Sequence, residues 1–131
     1  MLSDPGLRAP LAVALGAIPG ALCRYYLTLA ANRWLGSEFP AGTMLINLSG
    51  CVLIGLCFTL LAGRGGLAAD LRLLLITGFM GAYTTFSSYA LDTLTLIEVG
   101  RRWAALFYWL GSSSLGLVGV LIGSDLARRL S

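Results

Sequence analysis

The chain has 131 residues, of which 57% are hydrophobic and only 11% are charged, and its mean hydropathy is +0.84. Because a soluble domain carries about 25% charged residues, this composition excludes a small soluble domain and indicates a protein embedded in a lipid bilayer. The nine basic residues are all Arg, the net charge is +3, His is absent and the six acids form no visible catalytic pair, so we expect neither nucleic-acid binding nor enzyme chemistry.

Four stretches of the sequence are apolar and long enough to cross a bilayer. A spanning helix needs about 20 residues, and a charge near its centre costs about 2.5–3.5 kcal/mol on insertion scales. The gaps between charged residues predict spans at about 10–31, 41–62, 72–97 and 103–124. We therefore expect one all-α transmembrane domain of four helices, in a multi-pass protein of a bacterial inner membrane.

The arginines that flank these spans favour neither orientation strongly. With four crossings, five arginines lie on one side and three on the other. The first side carries Arg8, Arg64, Arg72, Arg128 and Arg129, and the second carries Arg33, Arg101 and Arg102. Because the basic asymmetry of short loops sets orientation, so small a difference permits insertion both ways and hence an antiparallel homodimer. A single orientation with the N-terminus inside is the alternative.

The first span contains a charge, Arg24, within the run GAIPGALCRYY. Two interpretations remain open. The long side chain either carries its guanidinium to headgroup water, or it faces a water-filled vestibule and attracts anions. Gly16 and Gly20 lie four residues apart in the same span and predict a close contact with another helix.

The second span contains GTMLINLSG, in which Thr43, Asn47 and Gly50 fall on one helical face. In hydrocarbon the amide of Asn47 must find a partner. It either forms a hydrogen bond to another helix and stabilises the bundle, or it turns its N–H groups toward an anion in a polar pore. The sequence favours neither interpretation.

The third span is rich in small and hydroxyl residues at mid-membrane depth, in the run GFMGAYTTFSSYALDT. Gly is costly inside a helix, and Thr and Ser offer the backbone alternative hydrogen bonds, so this run predicts an unwound turn. Broken helices persist at this depth only where they are buried or line a site, and their freed carbonyls can bind cations. A tightly packed helix without a break is the alternative.

Beyond the expected break, the third span offers a polar track beside aromatic rings. Polar side chains recur at spacings of three, four and three, at Thr85, Ser88, Asp92 and Thr95. Phe86 and Tyr89 share a neighbouring face of the same helix.

The fourth span presents Tyr108 and Ser112 on one face, four residues apart, where they would complete a pore wall. Alternatively, its run of serines bonds back to the preceding helical turn. Gly119 and Gly123 form a second pair with the spacing of a close helix contact.

Three of these segments together resemble the Fluc family of bacterial fluoride channels. They are GAIPGALCRY in the first span, FPAGTMLINLSGCVLIG in the second and GFMGAYTTFSSY in the third. The match covers almost the whole chain, and the combination is specific although each motif alone is weak. The resemblance implies a dual-topology antiparallel homodimer with two pores that exports fluoride passively across the lipid bilayer. It also implies a central sodium ion that is structural and is not transported.

The resemblance also assigns roles to individual residues. The sodium ligands fall on the backbone carbonyls of Gly81 and Thr84 from each subunit, and the vestibule arginine on Arg24. The implied pore-lining residues are Asn47, Thr85, Phe86, Ser88, Tyr89, Tyr108 and Ser112. The sequence departs from the usual pattern at the second ring position, which is commonly Phe in the family and is Tyr89 here.

Two other classes of protein remain as alternatives. A small four-helix, dual-topology exporter coupled to protons needs an intramembrane carboxylate, and only Asp92 is placed to serve. An assembly subunit without a permeation path would use the glycine pairs and Asn47 only as contacts between helices. Proton-driven uptake that depends on Asp92 would indicate the first class, and purified protein that carries no ion would indicate the second.

Overall fold

The computed structural model describes residues 5–62 and 66–130, and most of the described residues are helical. The helical segments are α1 (Pro5–Leu35), α2 (Ala41–Leu60), α3 (Gly66–Arg72), a π-helix (Leu73–Met80), α4 (Gly81–Tyr83), α5 (Phe86–Glu98) and α6 (Arg102–Leu130). The segments from α3 to α5 are consecutive and make up the third span. We call α3, the π-helix and α4 its first half, and α5 its second half.

Among the described residues, three helices are each long and apolar enough to cross a membrane, over Gly6–Leu35, Ala41–Leu60 and Arg102–Leu130. The third span is divided into shorter helices and bends between α4 and α5. The expected fold class, an all-α membrane protein of four helices with a break in the third, is therefore confirmed. The unbroken third helix that was the alternative is excluded.

Glycines bring α1 into backbone contact with the first half of the third span. A Cβ atom placed on Gly16 would collide with the carbonyl oxygen of Leu74, and one on Gly20 would collide with the same segment. From the opposite side, a Cβ on Gly78 would collide with the carbonyl oxygen of Val13. Small residues permit this close packing between membrane helices, as the sequence predicts for Gly16 and Gly20.

A second close contact joins α2 to α6. A Cβ on Gly123 would collide with the carbonyl oxygen of Val52, and one on Gly55 would collide with that of Val120. Gly119, one turn before Gly123, also faces α2. The bundle is thus two glycine-packed helix pairs, and α5 packs against α6 of the second pair.

Polar contacts near the membrane surfaces fix the helix ends. Arg8 of α1 forms an ion pair with Asp70 of α3. At the end of the third span, Gly100 has a φ of 79° and turns the chain from α5 into α6. Arg101, the next residue, donates a hydrogen bond to the carbonyl of Glu38 in the connection between α1 and α2. The two sets of contacts lie at opposite ends of the third span.

The π-helix, Leu73–Met80, is a feature that the sequence did not predict. The amide of Gly81 at its end donates a hydrogen bond to the carbonyl of Ile76, five residues earlier. Its residues, LLLITGFM, are ordinary for a membrane helix and give no signal for a widened turn. Such turns are rare and occur frequently at functional sites. This one leads directly into the break.

Candidate functional site

The third span is broken at Thr84 and Thr85, whose backbones are extended, with φ/ψ of −82°/157° and −149°/115°. Asn47 of α2 faces this break. Its side-chain oxygen accepts a hydrogen bond from the Thr85 amide at 2.8 Å, and its nitrogen donates to the Thr85 carbonyl at 3.0 Å. Asn47 therefore satisfies backbone groups that the break removes from the helix. Of the two interpretations of Asn47, the structure shows the hydrogen bond between helices.

Two further contacts hold the break against α2. Gly50 lies one turn after Asn47, and a Cβ on Gly50 would collide with the methyl group of Thr84. The hydroxyls of Ser49 and Tyr83 share a hydrogen bond of 2.8 Å. The sequence predicts that Asn47 and Gly50 share one face of α2, and this face is the surface of α2 that packs against the break.

Two backbone carbonyls at the break lose the donors that a continuous helix would supply. In an α-helix, the Thr85 amide would donate to the Gly81 carbonyl and the Ser88 amide to the Thr84 carbonyl. Instead, the Thr85 amide donates to Asn47, and the Ser88 amide donates to the Thr85 hydroxyl at 3.2 Å. Oxygen ligands of this kind suit a hard cation. The carbonyls of Gly81 and Thr84, which the resemblance implies as sodium ligands, are therefore ones whose α-helical donors bond to other groups.

Three aromatic rings form a row that runs from α5 to α6; we call Phe86, Tyr89 and Tyr108 the ring row. The centroids of Phe86 and Tyr89 lie 5.7 Å apart, and those of Tyr89 and Tyr108 lie 5.3 Å apart. Tyr89 and Tyr108 are buried, whereas Phe86 is 78% exposed. The row therefore begins inside the bundle and ends at a ring that a single chain leaves uncovered.

Hydroxyl groups line the same region. The Thr85 hydroxyl donates to the Ser88 hydroxyl at 3.0 Å, and the Tyr108 hydroxyl donates to the Asp92 carboxylate at 3.2 Å. Ser112 is buried, and its hydroxyl has no hydrogen-bond partner in the described part of the chain. A buried polar group of this kind is unusual, and it leaves a free donor one turn from Tyr108.

Two predicted polar residues stand apart from this cluster. Arg24 is half-buried on α1, and neither ion pair among the described residues involves it. Its backbone carbonyl accepts a hydrogen bond from the Thr28 hydroxyl at 2.8 Å. The Thr95 hydroxyl bonds back to the carbonyl of Leu91 at 3.0 Å. Asp92, which accepts a hydrogen bond from Tyr108, is therefore the last residue of the polar track that contacts α6, and Thr95 bonds within its own helix.

Comparison with known families matches residues 11–124 to the family described as CrcB-like protein, Camphor Resistance (CrcB). This match spans most of the chain. The chain belongs to the CrcB-like family. Membership agrees with a multi-pass membrane protein that is not an enzyme, and the curated relatives below confirm the resemblance to the Fluc family.

Three curated relatives of this CrcB-like chain are similar over nearly their full length. A Synechocystis sp. protein named fluoride-specific ion channel FluC is 51% identical over 125 residues, which cover 95% of this chain and 96% of the relative. A protein of the same name from Trichormus variabilis is 50% identical over 129 residues, covering 98% and 94%. One from Solibacter usitatus is 45% identical over 119 residues, covering 91% and 98%.

Two contacts of the Tyr89 hydroxyl in this CrcB-like chain were missed by sequence reasoning. The Tyr89 hydroxyl donates a hydrogen bond to the carbonyl of Trp109 at 2.6 Å, and it lies 3.1 Å from the Ser113 hydroxyl. The unusual Tyr and the serine run were both visible in the sequence. Their pairing depends on how α5 crosses α6, which helical periodicity alone does not specify.

Proposed function

We propose that this chain is a fluoride-selective channel through which fluoride leaves the cell passively, lowering its concentration in the cytoplasm. The relatives named fluoride-specific ion channel FluC support this proposal. The observation that carries it is the ring row, which ends at the exposed Phe86 beside the break. Each 100 mV of membrane potential is worth about 2.3 kcal/mol per elementary charge, so a negative cell interior drives an anion outward without coupling to another ion.

The chemistry around the ring row suits a small, strongly hydrated anion. A pore must replace the water around such an ion with donors. The edges of aromatic rings carry partial positive charge, and Phe86 exposes its ring, while the Ser112 hydroxyl is a donor with no described partner. The Asn47 amide uses one N–H on Thr85 and keeps a second. Donors placed closely enough to replace the water around fluoride would exclude the larger chloride ion.

The open break supports an antiparallel homodimer as the working unit. Gly81 and Phe86 are exposed in a single chain, on either side of the extended Thr84 and Thr85. Irregular backbone at membrane depth is tolerated only where protein covers it or where it lines a water-filled cavity. A second copy of the chain would provide that cover. The near balance of flanking arginines permits the two copies to insert in opposite orientations.

The same break suits the structural sodium ion that the family resemblance implies. The carbonyls of Gly81 and Thr84 have lost their α-helical donors, and paired carbonyls from each of two copies would hold a hard cation. When bound, such an ion supplies fixed positive charge that favours anions nearby. Asn47 keeps the break in shape through its two hydrogen bonds to Thr85, and Arg24 would attract anions at the entrance.

Fluoride efflux from liposomes that contain the purified protein tests the function. A fluoride-selective electrode records loss from fluoride-loaded vesicles, and chloride-loaded vesicles serve as the control for selectivity. We expect rapid loss of fluoride with chloride retained. Folded protein that releases no fluoride would contradict the proposal. Proton-driven uptake that Asp92→Asn abolishes would then favour the coupled exporter.

A further inference from the structure

We propose that Tyr89 is a positioning residue. Its hydroxyl joins α5 to α6 and thereby fixes the position of the ring row, and this hydroxyl does not bind the transported ion. The inference rests on the proposed fluoride channel. We call the Tyr89 hydroxyl, the Trp109 carbonyl and the Ser113 hydroxyl the Tyr89 clasp. It involves two α6 residues, Trp109 and Ser113, that the resemblance does not assign to the pore; the sequence predicts for Ser113 only a bond back to the preceding turn, which its bond to the Trp109 carbonyl is.

The hydrogen bonds of the Tyr89 clasp leave no donor for an anion. A phenol has one proton, and that of Tyr89 points to the Trp109 carbonyl at 2.6 Å. The Ser113 hydroxyl donates to the same carbonyl at 3.0 Å and lies 3.1 Å from the Tyr89 oxygen. An anion at the Tyr89 hydroxyl would have to break the shortest of these contacts.

Tyr89 is placed to control its neighbours in the ring row. Tyr89 is 6% exposed, and the centroid of its ring lies 5.7 Å from that of Phe86 and 5.3 Å from that of Tyr108. Phe86 is largely exposed and begins α5 directly after the break. The ring of Phe86 therefore rests on Tyr89, and the clasp sets how far Tyr89 lies from α6.

Three substitutions isolate the Tyr89 clasp. Tyr89→Phe removes only the hydroxyl, Ser113→Ala removes the second hydroxyl, and the double variant removes both. Ser113→Thr keeps a hydroxyl and serves as the rescue. Ser114→Ala is the matched control, because Ser114 is exposed on the same helix and forms none of the clasp contacts.

Two readouts are measured on folded protein: the fluoride dependence of efflux from liposomes, and the ¹⁹F NMR line of 4-fluorophenylalanine placed at position 86. We expect Tyr89→Phe and Ser113→Ala each to lower the maximal efflux by about threefold to tenfold, the range of one ordinary hydrogen bond. The half-saturating fluoride concentration should stay unchanged. The double variant should be no worse than Tyr89→Phe, and the line of residue 86 should shift or broaden in all three.

Three results would overturn the proposal. An increase in the half-saturating concentration in Tyr89→Phe alone would make the hydroxyl a ligand of the ion. Losses that multiply in the double variant would show that the two hydroxyls act separately. Lower thermal stability with normal efflux and an unchanged line at residue 86 would leave the clasp a purely structural contact. The NMR comparison needs no transport, so a wild type without fluoride efflux would refute the channel while the clasp is still tested.

Discussion

The two halves of the third span are held in the bundle by different kinds of contact. The first half lies against α1 with backbones touching at Gly16 and Gly78, and the Arg8–Asp70 ion pair adds a polar contact at its beginning. The second half, α5, is held to α6 by buried rings and by hydroxyl bonds such as that of Tyr108 to Asp92. It also leaves one ring, Phe86, uncovered.

In the proposed channel, this difference separates the packing that supports the third span from the groups that would contact the ion. Close packing of glycines tolerates almost no displacement, because the neighbouring atoms are backbone. Hydroxyls and ring edges can exchange one partner for another at small cost, as an ion in transit requires. The junction between the two halves, at Thr84 and Thr85, packs against α2. Asn47 forms hydrogen bonds to it, and Gly50 leaves room for it. Each region can therefore be disturbed separately.

The largest effect should come from filling the backbone contact of the first half. Gly16→Ala places a Cβ against the Leu74 carbonyl, which can move only if two helices separate. We expect a loss of stability at the upper end of about 1–3 kcal/mol, measured by thermal unfolding in detergent. Gly111→Ala is the control, because a Cβ there meets nothing within 4 Å. Equal stability of the two variants would contradict the tight contact.

The next effect concerns the junction. Asn47→Asp keeps the acceptor for the Thr85 amide but cannot donate to the Thr85 carbonyl, and its charge repels anions. We expect about 1–2 kcal/mol lower stability together with reduced fluoride efflux. Asn32→Asp, at the exposed end of α1, should change neither. Undiminished efflux and stability in Asn47→Asp would show that this side chain supports neither the break nor the pathway.

An effect on transport without loss of folding is expected in the second half. Phe86→Ile removes an exposed ring with few packing contacts, so the folded protein should persist. We expect fluoride efflux to fall by about threefold to tenfold, which matches the energy of an aromatic contact. Phe107→Ile is the matched control, since Phe107 is 82% exposed on α6. Normal efflux through folded Phe86→Ile protein would remove this ring from the pathway.

The smallest effect is expected at the end of the first half. Arg8→Gln removes the ion pair with Asp70, whose side chains are 55% and 28% exposed. An exposed pair contributes about 0.2–1 kcal/mol and is screened by salt. Thermal unfolding at low salt should reveal the loss, fluoride efflux should not change, and Arg33→Gln provides the comparison. A larger loss of stability in Arg8→Gln than in Gly16→Ala would contradict the account, because it would make the ion pair more important than the backbone contact.

Much of this architecture could be predicted from the sequence, because hydropathy and small-residue spacing encode it locally. The break near Thr84 and Thr85 and the close contact at Gly16 follow from residue type alone. The π-helix could not be predicted, since ordinary apolar residues form it. The pairing of Tyr89 with Ser113 was also missed, because it depends on the crossing of two helices.

The most direct test of the account is the reversal potential across a planar bilayer containing the purified protein, with unequal fluoride concentrations on the two sides and chloride also present. The account predicts a potential that follows the fluoride gradient and does not move when the chloride concentration is changed. A potential that moves with chloride, or no current from folded protein, would contradict a fluoride-selective pathway along the ring row.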